Sequence, residues 1–169
     1  MFRRSQVVFV LAAFCLVALT GCVTDGPRPA PKPKIGPPPR EARADVLLLN
    51  VSQPSDTDGD TIPDTLVTSV HMFDERYQLP VSVPGGLTFR LLDREAETTL
   101  TEWPFEGDEL RQRLTRAQVG PVYRFRLRIP VDTPPVTESY VTIQCVMEAD
   151  SGQKTQAWHR DLPWLSVPR

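Results

Sequence analysis

The stretch "VYRFRLRI", Val122 to Ile129, decides how this chain is read. Tyr123, Phe125, Leu127 and Ile129 alternate there with Arg124, Arg126 and Arg128. Successive side chains of a strand point to opposite faces, so a period of two predicts a strand with one face buried and the other in water. The neighbouring segments read the same way. "DVLLLNV" from Asp45 is short and apolar, and "LVTSVHMF" from Leu66 is rich in β-branched residues. "GGLTFRLLD" puts Leu87, Phe89 and Leu91 on one side, and "TTLTEW" from Thr98 is a further candidate. "SYVTIQCVME" places Val141, Ile143, Cys145 and Met147 on one face. "TQAWHRDL" follows it across "ADSGQK", whose Asp150, Ser151 and Gly152 supply turn chemistry. About seven strands joined by proline- and glycine-rich turns predict a mainly β fold, a single antiparallel sandwich of immunoglobulin-like shape.

One short helix is expected within "EGDELRQRLTRAQ", Glu106 to Gln118. Leu110 and Leu114 lie one helical turn apart and could pack on the sandwich. Asp108 and Glu109 suit the positive end of such a helix, while Arg113 and Arg116 suit the other. Trp103 and Phe105 are expected to anchor this connection in the core, and Gly120 and Pro121 to follow its end.

The N-terminus carries a different message. "MFRRSQVVFVLAAFCLVALTGC" opens with Arg3 and Arg4, continues as an apolar run from Val7 to Leu19, and ends in small residues and Cys22. A basic start, a short apolar core and small residues at its end describe a secretory signal. The apolar run falls short of the ~20 residues that a spanning helix needs. "LTGC", Leu19 to Cys22, resembles a bacterial lipobox. The resemblance implies cleavage before Cys22, diacylation of its thiol and, usually, acylation of its new amino group. Residues 1–21 are then a lipoprotein signal peptide. With two or three acyl chains, the mature protein should stay on a membrane. Val23, rather than an aspartate, follows the cysteine. By analogy with Gram-negative lipoproteins this favours the outer membrane, with the domain facing the periplasm.

Residues 22–44 read as a lipidated cysteine and a tether. Seven prolines fall between Pro27 and Pro39, interleaved with Arg28, Lys32, Lys34 and, just beyond, Arg40. Proline at this density favours extended polyproline conformation and a semi-rigid spacer. Its cations could lean on anionic headgroups or wall polymers, or only keep the tether soluble. Residues 45–169 have the size of one domain. Without residues 1–21 the chain has seventeen basic and twenty-one acidic residues, a formal charge of −4. A mildly acidic domain without a basic groove argues against nucleic acid as a partner.

Candidate chemistry is sparse. The two histidines, His71 and His159, lack metal-ligand companions at short spacing. Ser69 and His71 share a strand face, but the sequence offers no evident third group to orient them. Cys145, which would have no partner for an intramolecular disulfide, reads as an inert core thiol, with a catalytic thiol as the alternative. Arg124, Arg126 and Arg128, ~7 Å apart on one strand face, could bind an anionic polymer. They could equally pair with acids across the sheet or blunt an exposed face.

The stretch "DTDGDTIPD", Asp56 to Asp64, resembles the calcium loops of thrombospondin type 3 repeats, dockerins and EF-hands. The resemblance implies Asp56, Asp58 and Asp60 at alternate ligand positions, a backbone carbonyl from Ile62, and Asp64 at the ninth position. Two positions depart from the pattern. Thr61 stands where a glycine makes the sharp turn, and Val67 stands where a bidentate glutamate closes the site. Either the carboxylates hold Ca2+, or they stay solvated and Asp58-Gly59 simply makes a turn.

The lipobox, the tether and Asp58-Gly59-Asp60 with Pro63-Asp64, followed by Trp103-Pro-Phe and Gly120-Pro-Val-Tyr123, are similar to a set of bacterial envelope lipoproteins. That resemblance implies a fold and a location but no activity. The expectation is a lipid-anchored, non-enzymatic module that needs no cofactor and contacts an envelope protein or wall polymer. The alternatives are a calcium-dependent binding module and an envelope enzyme of unrecognised type.

Overall fold

The computed structural model describes residues 35–165. The expected signal segment 1–21, Cys22 and residues 23–34 of the expected tether lie outside the described residues. The described elements are β1 (Val46–Val51), β2 (Thr65–Phe73), β3 (Gly85–Leu92), β4 (Thr99–Glu106), α1 (Gly107–Arg113), β5 (Leu114–Ala117), β6 (Gly120–Arg128), β7 (Tyr140–Ala149) and β8 (Lys154–Pro163). They form two four-stranded sheets, ordered β1-β2-β6-β5 and β4-β3-β7-β8. Every neighbouring pair is antiparallel. This order is that of a constant-type immunoglobulin sandwich with one strand, β4, added at an edge.

The alternation in β6 explains the packing. Tyr123, Phe125 and Leu127 are buried, and Arg124, Arg126 and Arg128 are exposed. Leu87, Phe89 and Leu91 of β3 and Val141, Ile143, Cys145 and Met147 of β7 meet them as the other half of the core, each 0 % exposed. An aromatic cluster ties the two layers. Phe125 of one sheet lies 4.7 Å from Phe89 and 4.6 Å from Phe105 of the other, between ring centroids. Trp103 Nε1 adds a hydrogen bond to the Arg128 carbonyl at 2.7 Å, so β4 is fastened to the end of β6.

The helix is shorter than the sequence pattern suggests. Leu110 is buried as expected, but the chain becomes extended at Leu114 (φ −75°, ψ 124°) and continues as an eighth strand, β5. Leu114, Thr115, Arg116 and Ala117 pair with Tyr123, Val122, Pro121 and Gly120. As a strand, these residues form ladder bonds with β6, and Leu114 still packs on the core. Pairing therefore satisfies the backbone without losing the apolar contact that suggested a second helical turn.

Residues 36–44 lie against the sandwich as a strap. Tyr77 donates its hydroxyl to the Gly36 carbonyl at 3.1 Å, and Arg76 Nη2 donates to the Glu41 carbonyl at 3.2 Å. Asp74, 1 % exposed, accepts the Arg43 N–H at 3.0 Å. Ala44 is buried, and its carbonyl accepts from Gln153 and Thr155, which brings the start of β1 to the edge of β8.

Candidate functional site

The acidic loop is an excursion between β1 and β2. Ser55 and Thr65 pair at its neck, with Ser55 N–H donating to the Thr65 carbonyl at 2.9 Å and Thr65 N–H returning at 3.0 Å. Above the neck, Asp56 organises the backbone. Its carboxylate accepts N–H bonds from Asp58 (3.1 Å), Gly59 (2.7 Å) and Thr61 (2.9 Å). Asp58 accepts from Asp60 N–H at 3.2 Å, and Asp60 accepts from Ile62 N–H at 2.7 Å. These bonds turn the chain so sharply that both Gly59 (φ +87°) and Thr61 (φ +74°) adopt left-handed backbone. The β-branched Thr61 takes up the conformation that glycine supplies more cheaply.

One oxygen each from Asp56, Asp58 and Asp60 lies within 4.8 Å of the others, and all three residues are exposed. Asp64 is turned elsewhere. Its carboxylate takes the Thr57 hydroxyl (2.7 and 2.9 Å) and the Thr57 N–H (3.1 Å), and so helps to close the neck. Val67 is already part of β2, exposed and paired with Arg126. The loop therefore brings together three of the four carboxylates expected in it. Ile62, expected to offer its backbone carbonyl, donates its N–H to Asp60. Hydrogen bonds from the Gly59 and Thr61 N–H groups hold the Asp56 carboxyl below its ordinary value. The Thr57 hydroxyl does the same for Asp64.

The arginine row lies on the outer face of the β1-β2-β6-β5 sheet. Across from it on β2 stand Ser69 opposite Arg124, Val67 opposite Arg126 and Thr65 opposite Arg128. None of these is an acid, and among the described residues no carboxylate forms a salt bridge with any of the three. Arg128 Nη2 donates to Thr57 Oγ1 at 3.3 Å beside Asp64.

The remaining candidates are scattered. His71 is on β2 and His159 on β8, in different sheets. His71 Nδ1 is buried without a hydrogen-bond partner among the described residues. Cys145 is enclosed in the core, and burial pushes its thiol up to about 12. A thiol so placed is neutral and shielded, which suits packing and not nucleophilic attack.

Two features carry no signal in the sequence pattern. One is the Asp74 clamp, where Arg76 places Nε (2.9 Å), Nη2 (2.7 Å) and its own N–H (2.9 Å) on a single carboxylate. The second is an open groove of about 810 Å³ between the strap, the β2–β3 connection and β5, lined by Pro39, Tyr77, Pro80, Leu114 and Pro121 among others. Its prolines are visible in the sequence, but their convergence depends on the strap folding back.

A search of protein-family models and of curated proteins finds no match to this chain.

Proposed function

We propose that this chain is a lipid-anchored, non-enzymatic module of the bacterial cell envelope that acts by contact with another envelope protein or wall polymer. The observation that carries this reading is the order of parts: lipobox-like Leu19–Cys22, a proline-rich stretch, then a sandwich. The anchor sets the location, facing the periplasm and on the outer membrane by the residue after Cys22. The sandwich supplies surface. The enclosure of Cys145 and the separation of His71 from His159 favour contact over catalysis by an unrecognised envelope enzyme. Crosslinking in cells followed by mass spectrometry tests the proposal. A reproducible envelope partner is expected; capture of lipoprotein-processing machinery alone would contradict it.

A second reading, a calcium-dependent module, rests on the convergence of Asp56, Asp58 and Asp60. Three carboxylates this close repel one another, and a divalent cation would relieve that repulsion. On this reading, millimolar calcium raises the melting temperature of the parent chain and not that of an Asp56→Asn, Asp58→Asn variant. Equal shifts in both would end it. Asp64→Asn should lower the melting temperature with or without calcium, because Asp64 holds Thr57 and not the cluster.

A further inference from the structure

The outer face of the β1-β2-β6-β5 sheet presents two surfaces side by side. At the end where the strap enters β1, Val46 (49 % exposed) and Leu48 (49 %) stand opposite the half-buried Phe73 and His71. At the other end stand Val67 (48 % exposed) and Arg126. Asn50 and Ser69 join the two halves, opposite Arg124.

The other sheet pairs most of its exposed charges with acids, Arg160 being an exception whose guanidinium lies over the Trp158 ring. On the other sheet Arg90 pairs with Glu102, and Lys154 with Glu148 at 2.9 Å. Arg94 pairs with Asp161 beside that sheet at 3.0 Å. On this face Arg124 and Arg126 have no acid partner among the described residues. Net charge does not explain the difference, since the domain is acidic overall. Unpaired guanidinium groups beside exposed aliphatic side chains fit a surface that is anionic and polar outside and apolar just beneath.

We infer that this face docks on the anionic phosphate headgroups of the membrane to which, on the reading proposed above, Cys22 anchors the chain. Twelve residues, 23–34, separate Cys22 from the first described residue. Fully extended as polyproline they reach roughly 37 Å. The chain then runs through the strap directly into Val46, the first residue of the apolar end. A surface held this near needs little intrinsic affinity, because the tether makes docking effectively intramolecular. Val46 and Leu48 meet the headgroup boundary, while Arg124 and Arg126 fork onto phosphate oxygens. Arg128, beside Asp64, contributes less. A linear wall polymer would account for the arginines but leave Val46 and Leu48 without a role.

Vesicle sedimentation tests this with the mature chain, residues 22–169, carrying Cys22→Ser so that no lipid assists. At low salt the protein should bind vesicles of phosphatidylcholine mixed with phosphatidylglycerol, and not phosphatidylcholine alone. Each interfacial arginine contributes about fivefold to partitioning, so Arg124→Gln with Arg126→Gln should weaken binding roughly twenty-five-fold. Leu48→Asp should weaken it as well, and Arg90→Gln on the opposite face should change nothing. All of these sites are exposed or half-exposed, and unchanged melting temperatures would confirm folding. Failure to bind anionic vesicles, or equal binding by the double variant, overturns the inference. So does loss of binding on neutralising Arg28, Lys32 and Lys34 alone, which would assign docking to the tether. Arginine-dependent retention on polyglutamate without vesicle binding would overturn it in favour of an acidic protein partner. The anchor is scored separately by the mass of the native chain, so either claim can fail alone.

Discussion

Asp74 shows what a single side chain can fix. Four donors meet its carboxylate: the Arg43 N–H, the Arg76 N–H, and Arg76 Nε and Nη2. The Arg76 side chain foremost, then the Arg76 and Arg43 N–H groups, hold the carboxyl far below its ordinary 3.8. Such a group stabilises the fold above its unfolded value, and the contribution is lost as pH falls through the folded one. Asp74→Asn should therefore melt below the parent at pH 7, with the gap narrowing as pH drops below about 4. A gap constant from pH 7 to 2 would mean that the charge is immaterial. Cys145 makes the opposite case, a titratable group that burial silences. Iodoacetamide at pH 8 should label it in the denatured Cys22→Ser chain and spare it in the folded one. At this scale the sequence pattern is informative where the partners are local. The spacing of Asp56, Asp58 and Asp60 already implies their convergence. Asp64 was expected beside them, but the Thr57 hydroxyl seven residues away takes its carboxylate instead. The Asp74 clamp takes three of its four bonds from Arg76, two positions on, but the fourth comes from Arg43, thirty-one positions away, which no local spacing shows.

Among the elements, the strands that alternate cleanly are the ones that periodicity identifies. β3, β6 and β7 bury the expected faces, because a central strand has a core side and little freedom of register. The segment after α1 is different. Leu110 and Leu114 suit one helical stripe, yet Leu114 reaches the core equally well from a strand, so the apolar pattern is silent between the two. What decides is the open edge of β6, a tertiary feature that no window of sequence contains. Gly85 likewise answers to a tertiary contact, with β7. A Cβ there would lie 2.2 Å from the Glu148 carbonyl oxygen, so β3 begins at a residue without one. The aromatic cluster joins the two sheets. Phe89→Ala should cost about 3–5 kcal/mol in urea unfolding, since the ring is wholly buried. A cost below about 1 kcal/mol would mean that Phe105 and Phe125 refill the gap.

The whole molecule combines a sandwich legible from strand alternation and turn chemistry with a surface that is not. The alternating segments imply the sandwich with about seven strands, and the eighth, β5, completes two four-stranded sheets. The unpaired state of Arg124 and Arg126 follows from register, which sets them opposite Ser69 and Val67. The strap at residues 36–44 is tied to the domain through Tyr77, Asp74 and Arg76, so that pull on its start would be passed to the sandwich near the start of β1. All of this acquires meaning at a membrane only if Cys22 carries lipid. The most direct measurement is the intact mass of the chain extracted from the membrane fraction of the cells that make it. A chain beginning at Cys22, with the added mass of a diacylglyceryl group and an N-acyl chain, is the predicted result. A chain that begins at Met1, or one in which Cys22 is a free thiol, would contradict the account.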